Sequence, residues 1–337
     1  MAKLAAQIRF IAGALALALM LAITAPAGAQ VNPNAAAVQE QQLLKELGKI
    51  QGLGTIPDKK SYTLEHPAGR NWQQFHNVWL RSIGGIAIIG MLVILAVFYF
   101  WRGKIKIAEG RAGRTIIRFT GFERFIHWLT ASTFVLLAIT GLNITFGRVL
   151  VLPWLGPETF TTWSEWAKYT HNYLSFAFTI GVVVMFLMWI GQNFPTKADI
   201  EWLKQGGGMF DKGNRDHPPA YKFNAGQKAL YWLNMLAGAT MIISGFLLLF
   251  PFYYGLNVGD MELAQIFHGV VAMLFVALII GHIYIGTLGM EGAFEGMGDG
   301  TVDLNWAKEH HSLWYKQEMD REARGKGEAM VTPTPAE

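Results

Sequence analysis

Five long apolar stretches constrain this chain more than anything else in its sequence. They lie near residues 80 to 101, 125 to 147, 171 to 194, 227 to 250 and 264 to 288. Each is about 20 residues or more, enough for a helix to cross the hydrocarbon core of a bilayer. Aromatic residues gather at their ends (Trp79, Trp101, Trp128, Trp154, Trp189, Tyr231, Trp232), as interfacial belts do. With 52% hydrophobic and only 15% charged residues, the composition is that of a membrane protein. The expected fold class is all-α integral membrane, with no catalytic residue evident.

Lys and Arg in the connections set the expected orientation. The connection from 102 to 124 holds Arg102, Lys104, Lys106, Arg111, Arg114, Arg118 and Arg124; that from 195 to 228 holds Lys197, Lys204, Lys212, Arg215, Lys222 and Lys228. Both read as cytoplasmic, as does the basic segment after 289. The connection from 148 to 170 has only Arg148 and Lys168, and that from 251 to 263 has neither Lys nor Arg, so these face the other side. The net charge of +4 and pI near 9.1 follow from this topology and need no nucleic-acid partner.

At the front, Lys3 and Arg9 precede an apolar run that ends in Ala27-Gly28-Ala29, the pattern of a signal peptide over residues 1–29. An uncleaved anchor is the alternative. Residues 30–78 are polar and expected in the periplasm, with a short amphipathic helix near Val38 to Ile50; His66 and His76 lie here at no metal-binding spacing. Residues 79–115 form one additional transmembrane helix and a basic loop. The last segment, 320–337, reads as a disordered cytoplasmic tail. No internal repeat is evident. The expected location is a bacterial inner membrane, multi-pass, with the mature N-terminus periplasmic and the C-terminus cytoplasmic.

The last apolar run carries two histidines, His268 and His282, fourteen residues apart. On a helix they face one side within about 40°, separated by a rise of roughly 21 Å. Ionisable side chains inside a membrane helix are expensive and point to function with partners on neighbouring helices. The topology supplies partners: His127 begins the second span at its cytoplasmic end, and His171 the third at its periplasmic end. By depth, His127 pairs with His282 and His171 with His268.

Without cysteine there is no disulfide, no Cys-ligated metal, no covalent c-type haem and no iron–sulfur cluster on this chain. Two histidine pairs at two depths fit bis-imidazole ligation of two haem b groups, with one imidazole on each face. Closed zinc sites need about four ligands at one depth. Proton relays usually recruit membrane carboxylates, and the helices with these histidines have no Asp or Glu near their middles. Gly141, Gly181, Gly245, Gly269, Gly281 and Gly286 are candidates for opening space around haem, although small residues equally serve helix packing. Arg118, Arg124 and Lys228 could pair with propionates, although the charge rule alone explains them. His217 and His310-His311 are expected to be solvated or at a subunit contact.

From about residue 116 to 319 the chain resembles the γ subunit of respiratory formate dehydrogenase, a dihaem cytochrome b membrane anchor. The matching stretches are RFTGFERFIHWL, LAITGLNI, NFPTKADIEWL, KFNAGQKALYW, the helix of His268 and His282, and WAKEHHSLWYKQE. The histidine pattern alone also admits cytochrome b subunits of nickel–iron hydrogenases and thiosulfate reductases; NAGQK and HHxxWY tilt toward formate dehydrogenase.

That resemblance implies a four-helix haem-binding bundle over 116–319, iron ligands at His127, His171, His268 and His282, and a quinone site near the cytoplasmic haem. The family's quinone pocket is lined from the start of the NAGQK helix, hence by Asn224 and Gln227, although Asn224 suits a helix N-cap equally well. The implied partners are an iron–sulfur subunit and a molybdenum or tungsten catalytic subunit, which itself oxidises formate. Electrons would pass from the periplasm to quinone. A non-redox transporter or assembly anchor, with histidines that merely pack, is the competing class. Residues 1 to about 115 fall outside the match; one role for 30–75 is docking the iron–sulfur partner.

Overall fold

A computed structural model describes residues 67–209, 217–251, 253–325 and 332–333. The expected signal peptide, the helix near 38–50 and His66 lie outside these residues. Among the described residues, five helices are long and apolar enough to cross a membrane: Gly69–Arg102, Gly121–Leu150, Leu152–Gln192, Ala225–Leu249 and Val258–Gly289. The protein is an all-α, multi-pass membrane bundle.

A short helix α1 (Pro67–Gln74) runs through one wider turn (Phe75–Leu80) into α2 (Arg81–Arg102). Strand β1 (Arg114–Ile117) then leads into α3 (Gly121–Leu150), which doubles back as α4 (Leu152–Trp189). Helix α5 (Lys197–Lys204) lies in the next connection, before the second long hairpin of α6 (Ala225–Leu249) and α7 (Val258–Tyr284). The last described elements are α8 (Ala293–Gly298), β2 (Thr301–Asp303), α9 (Leu304–His310), α10 (Ser312–Ala323) and β3 (Thr332–Pro333).

Local sequence explains where the helices begin. Helices α3, α5, α6 and α7 each open with a reciprocal capping box: Thr120 with Glu123, Thr196 with Asp199, Asn224 with Gln227 and Asn257 with Asp260. Each box satisfies backbone N–H groups that the first turn leaves without partners. Helix α4 takes up most of the connection expected over 148–170, breaking only at Gly156 (φ 73°) before Pro157. Proline has a preset φ and no N–H to lose in a first turn, so it restarts the helix there. Hydropathy misses this portion because it marks hydrocarbon depth rather than helix length. His171 therefore sits well inside α4 and not at its start.

Helix α3 packs along α4, α6 along α7, and α2 along α7, whereas α3 and α7 meet sparsely. Two tight hairpins thus leave a looser seam between them. One end of the bundle carries an unexpected three-stranded antiparallel sheet in the order β2-β1-β3 (the sheet end); the other carries the two hairpin turns (the hairpin end). The presumed tail starts inside α10, and Thr332–Pro333 adds to β1.

The aromatic belt divides in two. Trp79, Trp101 and Trp154 are exposed, but Trp189 and Tyr231 are core residues. Their polar tips, with those of Trp128 and Trp232, reach internal acceptors at helix ends: the Glu123 carboxylate and the carbonyls of Phe186, Met297 and Asn193. A buried Trp N–H or Tyr O–H needs such a partner.

Candidate haem-binding site

The seam between the hairpins brings four histidines together as two pairs. At the sheet end, His127 of α3 faces His282 of α7, with ring centroids 6.1 Å apart and planes inclined by 68°. Toward the hairpin end, His171 of α4 faces His268 of α7 at 6.2 Å and 66°. Two imidazoles that shared one metal ion at about 2 Å each, with ring radii of about 1 Å, would have centroids about 6 Å apart. Edge-to-face ring pairs also occupy this range, so distance alone does not choose between them.

Hydrogen bonding at the hairpin end is more selective. His171 Nδ1 lies 2.8 Å from Thr140 Oγ1, and His268 Nδ1 lies 2.9 Å from Ser244 Oγ. Both hydroxyls already donate to their own helices, Thr140 to the Leu136 carbonyl at 2.8 Å and Ser244 to that of Thr240 at 2.6 Å. Each hydroxyl has one proton, so each must accept from the imidazole. Both rings are thereby fixed with hydrogen on Nδ1 and a free lone pair on Nε2, the tautomer a metal ligand needs. Gly141 and Gly245 follow these hydroxyls directly; a Cβ on either would touch the neighbouring imidazole Cε1 at 3.4 Å.

Thr140 and Ser244 were missed in the sequence. Their signal is a short repeat, a hydroxyl residue followed by glycine, in ITG and ISG ahead of His171 and His268. The sheet-end pair lacks this support: His127 Nδ1 is buried without a hydrogen-bond partner. An unsatisfied buried nitrogen calls for an explanation such as a bound group or water. The donor set, the fixed tautomers and the loose seam all fit haem b.

Of the other glycines, Gly181 and Gly269 permit close packing. A Cβ on Gly181 would strike the Thr130 hydroxyl, and one on Gly269 would strike Leu80, while Gly281 lies beside Met91 and Gly286 in open space. Asn224 and Gln227 sit together in the capping box of α6. Asn224 Oδ1 accepts from the Gln227 N–H at 2.9 Å, and Gln227 Oε1 accepts from the Asn224 N–H at 3.1 Å. The box uses carbonyl oxygens and leaves the two side-chain amide groups as donors.

Lys228, Arg118 and Arg124 each bond to groups of the chain itself. Lys228 is buried, donating to Asp199 at 2.7 Å and to the Phe194 carbonyl at 3.1 Å. Burial works against charge on Asp199, but Lys228 and the Thr196 donors outweigh it and hold the carboxyl below its ordinary range. Arg118 donates to the Lys222 carbonyl at 2.6 Å and stacks over Trp306 and Trp314. Burial pulls its guanidinium down to about 9, which leaves it charged at neutral pH. Arg124 donates to the carbonyls of Met297 and Gly298.

The remaining histidines correct an expectation. His76 is solvent-accessible beside Asn77, but His310 and His311 are buried, at 6% and 1% exposure. Arginine can only donate, so His311 Nε2 accepts from Arg118 at 3.0 Å and its Nδ1–H donates to the Tyr221 carbonyl at 2.6 Å. Burial holds His311 well below the ordinary histidine range and His310 at about 4. The HHSLWY stretch is thus a clamp inside the chain. His217 is likewise covered, with its side chain 9% exposed.

Residues 118–300 match the prokaryotic cytochrome b561 family, over more than half of the chain. The chain belongs to that family. It is 29% identical over 220 residues to the cytochrome b556(Fdn) subunit of the nitrate-inducible formate dehydrogenase of Escherichia coli K12, covering 64% of this chain and 97% of that one. The cytochrome b556(fdo) subunit of the same organism is 28% identical over 204 residues, 60% of this chain and 93% of its own. The formate dehydrogenase cytochrome b556 subunit of Haemophilus influenzae is 29% identical over 223 residues, 64% and 87%. A cytochrome b family carries haem b, the cofactor that the histidine pairs suit.

Proposed function

We propose that this cytochrome b is the membrane subunit of a formate dehydrogenase complex and holds two haem b groups, one between His171 and His268 and one between His127 and His282. The observation that carries this reading is the pair of fixed tautomers at the hairpin end, supported by the formate dehydrogenase subunits among its relatives. Bound haem supplies one-electron transfer; the chain supplies ligands, depth and a low-dielectric surrounding. In the orientation given by the basic connections, the hairpin end faces the periplasm and the sheet end the cytoplasm of a bacterial inner membrane. Electrons from formate would arrive through an iron–sulfur subunit, beside a molybdenum or tungsten catalytic subunit, and leave to quinone near the cytoplasmic face. The amide groups of Asn224 and Gln227, at the start of α6, would donate to a quinone carbonyl.

Haem quantitation combined with mass spectrometry of the intact complex tests this. Two haem b per chain and a large molybdopterin subunit are expected. A colourless protein from haem-replete cells overturns the haem assignment, and a nickel–iron subunit in place of the molybdopterin one reassigns the donor to hydrogen.

A further inference from the structure

At the sheet end, His217, Glu309 and His310 converge away from the haem-binding seam, each offering one donor atom, and these atoms lie within 4.8 Å of one another. His217 Nε2 is 2.8 Å from Glu309 Oε1, and His310 Nε2 is 3.8 Å from the same oxygen. Ligands on one tetrahedral ion at about 2.0 Å stand about 3.3 Å apart, so the two separations bracket that value. The three side chains are 9%, 7% and 5% exposed.

One of these donor atoms is unexplained by the protein itself: His310 Nε2 is buried without a hydrogen bond. Glu309 Oε1 is buried against His217 Nε2 at 2.8 Å. A buried imidazole nitrogen without a partner is costly. The surroundings are those of a held ligand set. Glu309 Oε2 accepts from the Ala108 N–H at 2.9 Å, which orients the carboxylate. Gly208, at φ 71°, leaves room for the His217 ring, since a Cβ there would stand 2.7 Å from Nδ1.

We propose that His217, Glu309 and His310 bind one divalent metal ion of the zinc class, with water or a further ligand completing the coordination. Two imidazoles and one carboxylate are a recurring set for such ions. The ion ties the connection before α6 to α9, and Glu309 of α9 holds the basic loop through the Ala108 N–H. It therefore locks the sheet-end clamp onto the membrane helices. The inference does not depend on the haem or quinone assignments.

The test uses the full-length protein purified without chelator, with total metal by mass spectrometry and haem measured separately by its pyridine complex. One zinc-class ion per chain beyond haem iron is expected, and its X-ray absorption edge should show nitrogen and oxygen ligands with imidazole scattering. His217→Ala and Glu309→Gln should each lose that ion while haem content and the haem spectrum stay unchanged. Failure of chelator-stripped protein to take back one equivalent of added zinc overturns the proposal, as does an ion that persists in both variants. His217→Cys, which restores a metal donor, should regain the ion that His217→Ala loses.

Discussion

The two histidine pairs are alike in ring separation and unlike in what surrounds them. At the hairpin end each imidazole leans on a hydroxyl from the other helix of its own hairpin, Thr140 on α3 for His171 on α4 and Ser244 on α6 for His268 on α7. At the sheet end His127 has no such partner on Nδ1 and stands beside Trp128 at 5.2 Å. One site is set by hydrogen bonds inside the membrane. The other depends on packing and on the clamp beyond it, where Trp128 and Arg124 reach the carbonyls of Met297 and Gly298. Two chemically similar histidine pairs thus sit in different hydrogen-bonding surroundings.

The strongest way to break this comparison is to remove ligands one at a time. His171→Ala or His268→Ala should lose one of two haems and keep the sheet-end one; His127→Ala or His282→Ala should do the reverse. Haem stoichiometry and low-temperature reduced-minus-oxidised spectra read this out. If any single change emptied both sites, the pairs would not be independent.

A sharper cut leaves the ligands in place. Thr140→Val and Ser244→Ala should raise the hairpin-end haem potential, because an imidazole that loses its acceptor becomes a weaker donor to ferric iron. One hydrogen bond of about 1 kcal/mol corresponds to about 40 mV for one electron. Potentiometric titration should show that shift with the sheet-end potential unmoved.

Smaller effects are expected near α6. Asn224→Ala should cost about 1 kcal/mol of stability through the lost cap, whereas Asn224→Asp keeps a capping oxygen while replacing the amide donor with a carboxylate. Quinone reduction that falls in Asn224→Asp at unchanged thermal stability assigns the amide to quinone; unchanged activity assigns it to capping alone. A further effect, read in pH, concerns Asp199. Its carboxyl is depressed in the fold, so its stabilising contribution is present above the ordinary value of 3.8 and is lost as pH falls through the lower folded value. Asp199→Asn should flatten that acid limb of a melting-temperature profile.

Much of the fold was legible because apolar length is a direct statement about hydrocarbon depth. The five spans follow from it, and the fourteen-residue interval in α7 places two imidazoles on one face at two depths. The early start of α4 was hidden because Trp163 and Asn143 bond across the hairpin turn at 2.9 Å, a tertiary contact that hydropathy does not register. Trp189 read as interfacial from its position at a span end. Its indole instead serves Glu123, which Lys222 also neutralises at 2.9 Å. The His310-His311 dipeptide read as solvated because it lies in a polar segment, yet Trp306, Trp314 and Arg118 enclose it.

What the sequence determined by itself was the membrane class, the number of long helices and the histidines able to meet in pairs, since periodicity and hydropathy are local properties that survive in one dimension. What only the tertiary structure decided was which hydroxyl orients which imidazole, that Asn224 and Gln227 cap each other, and that His217, Glu309 and His310 come together. Those facts require residues far apart in the chain to share a few ångströms of space, and no local pattern encodes that distance.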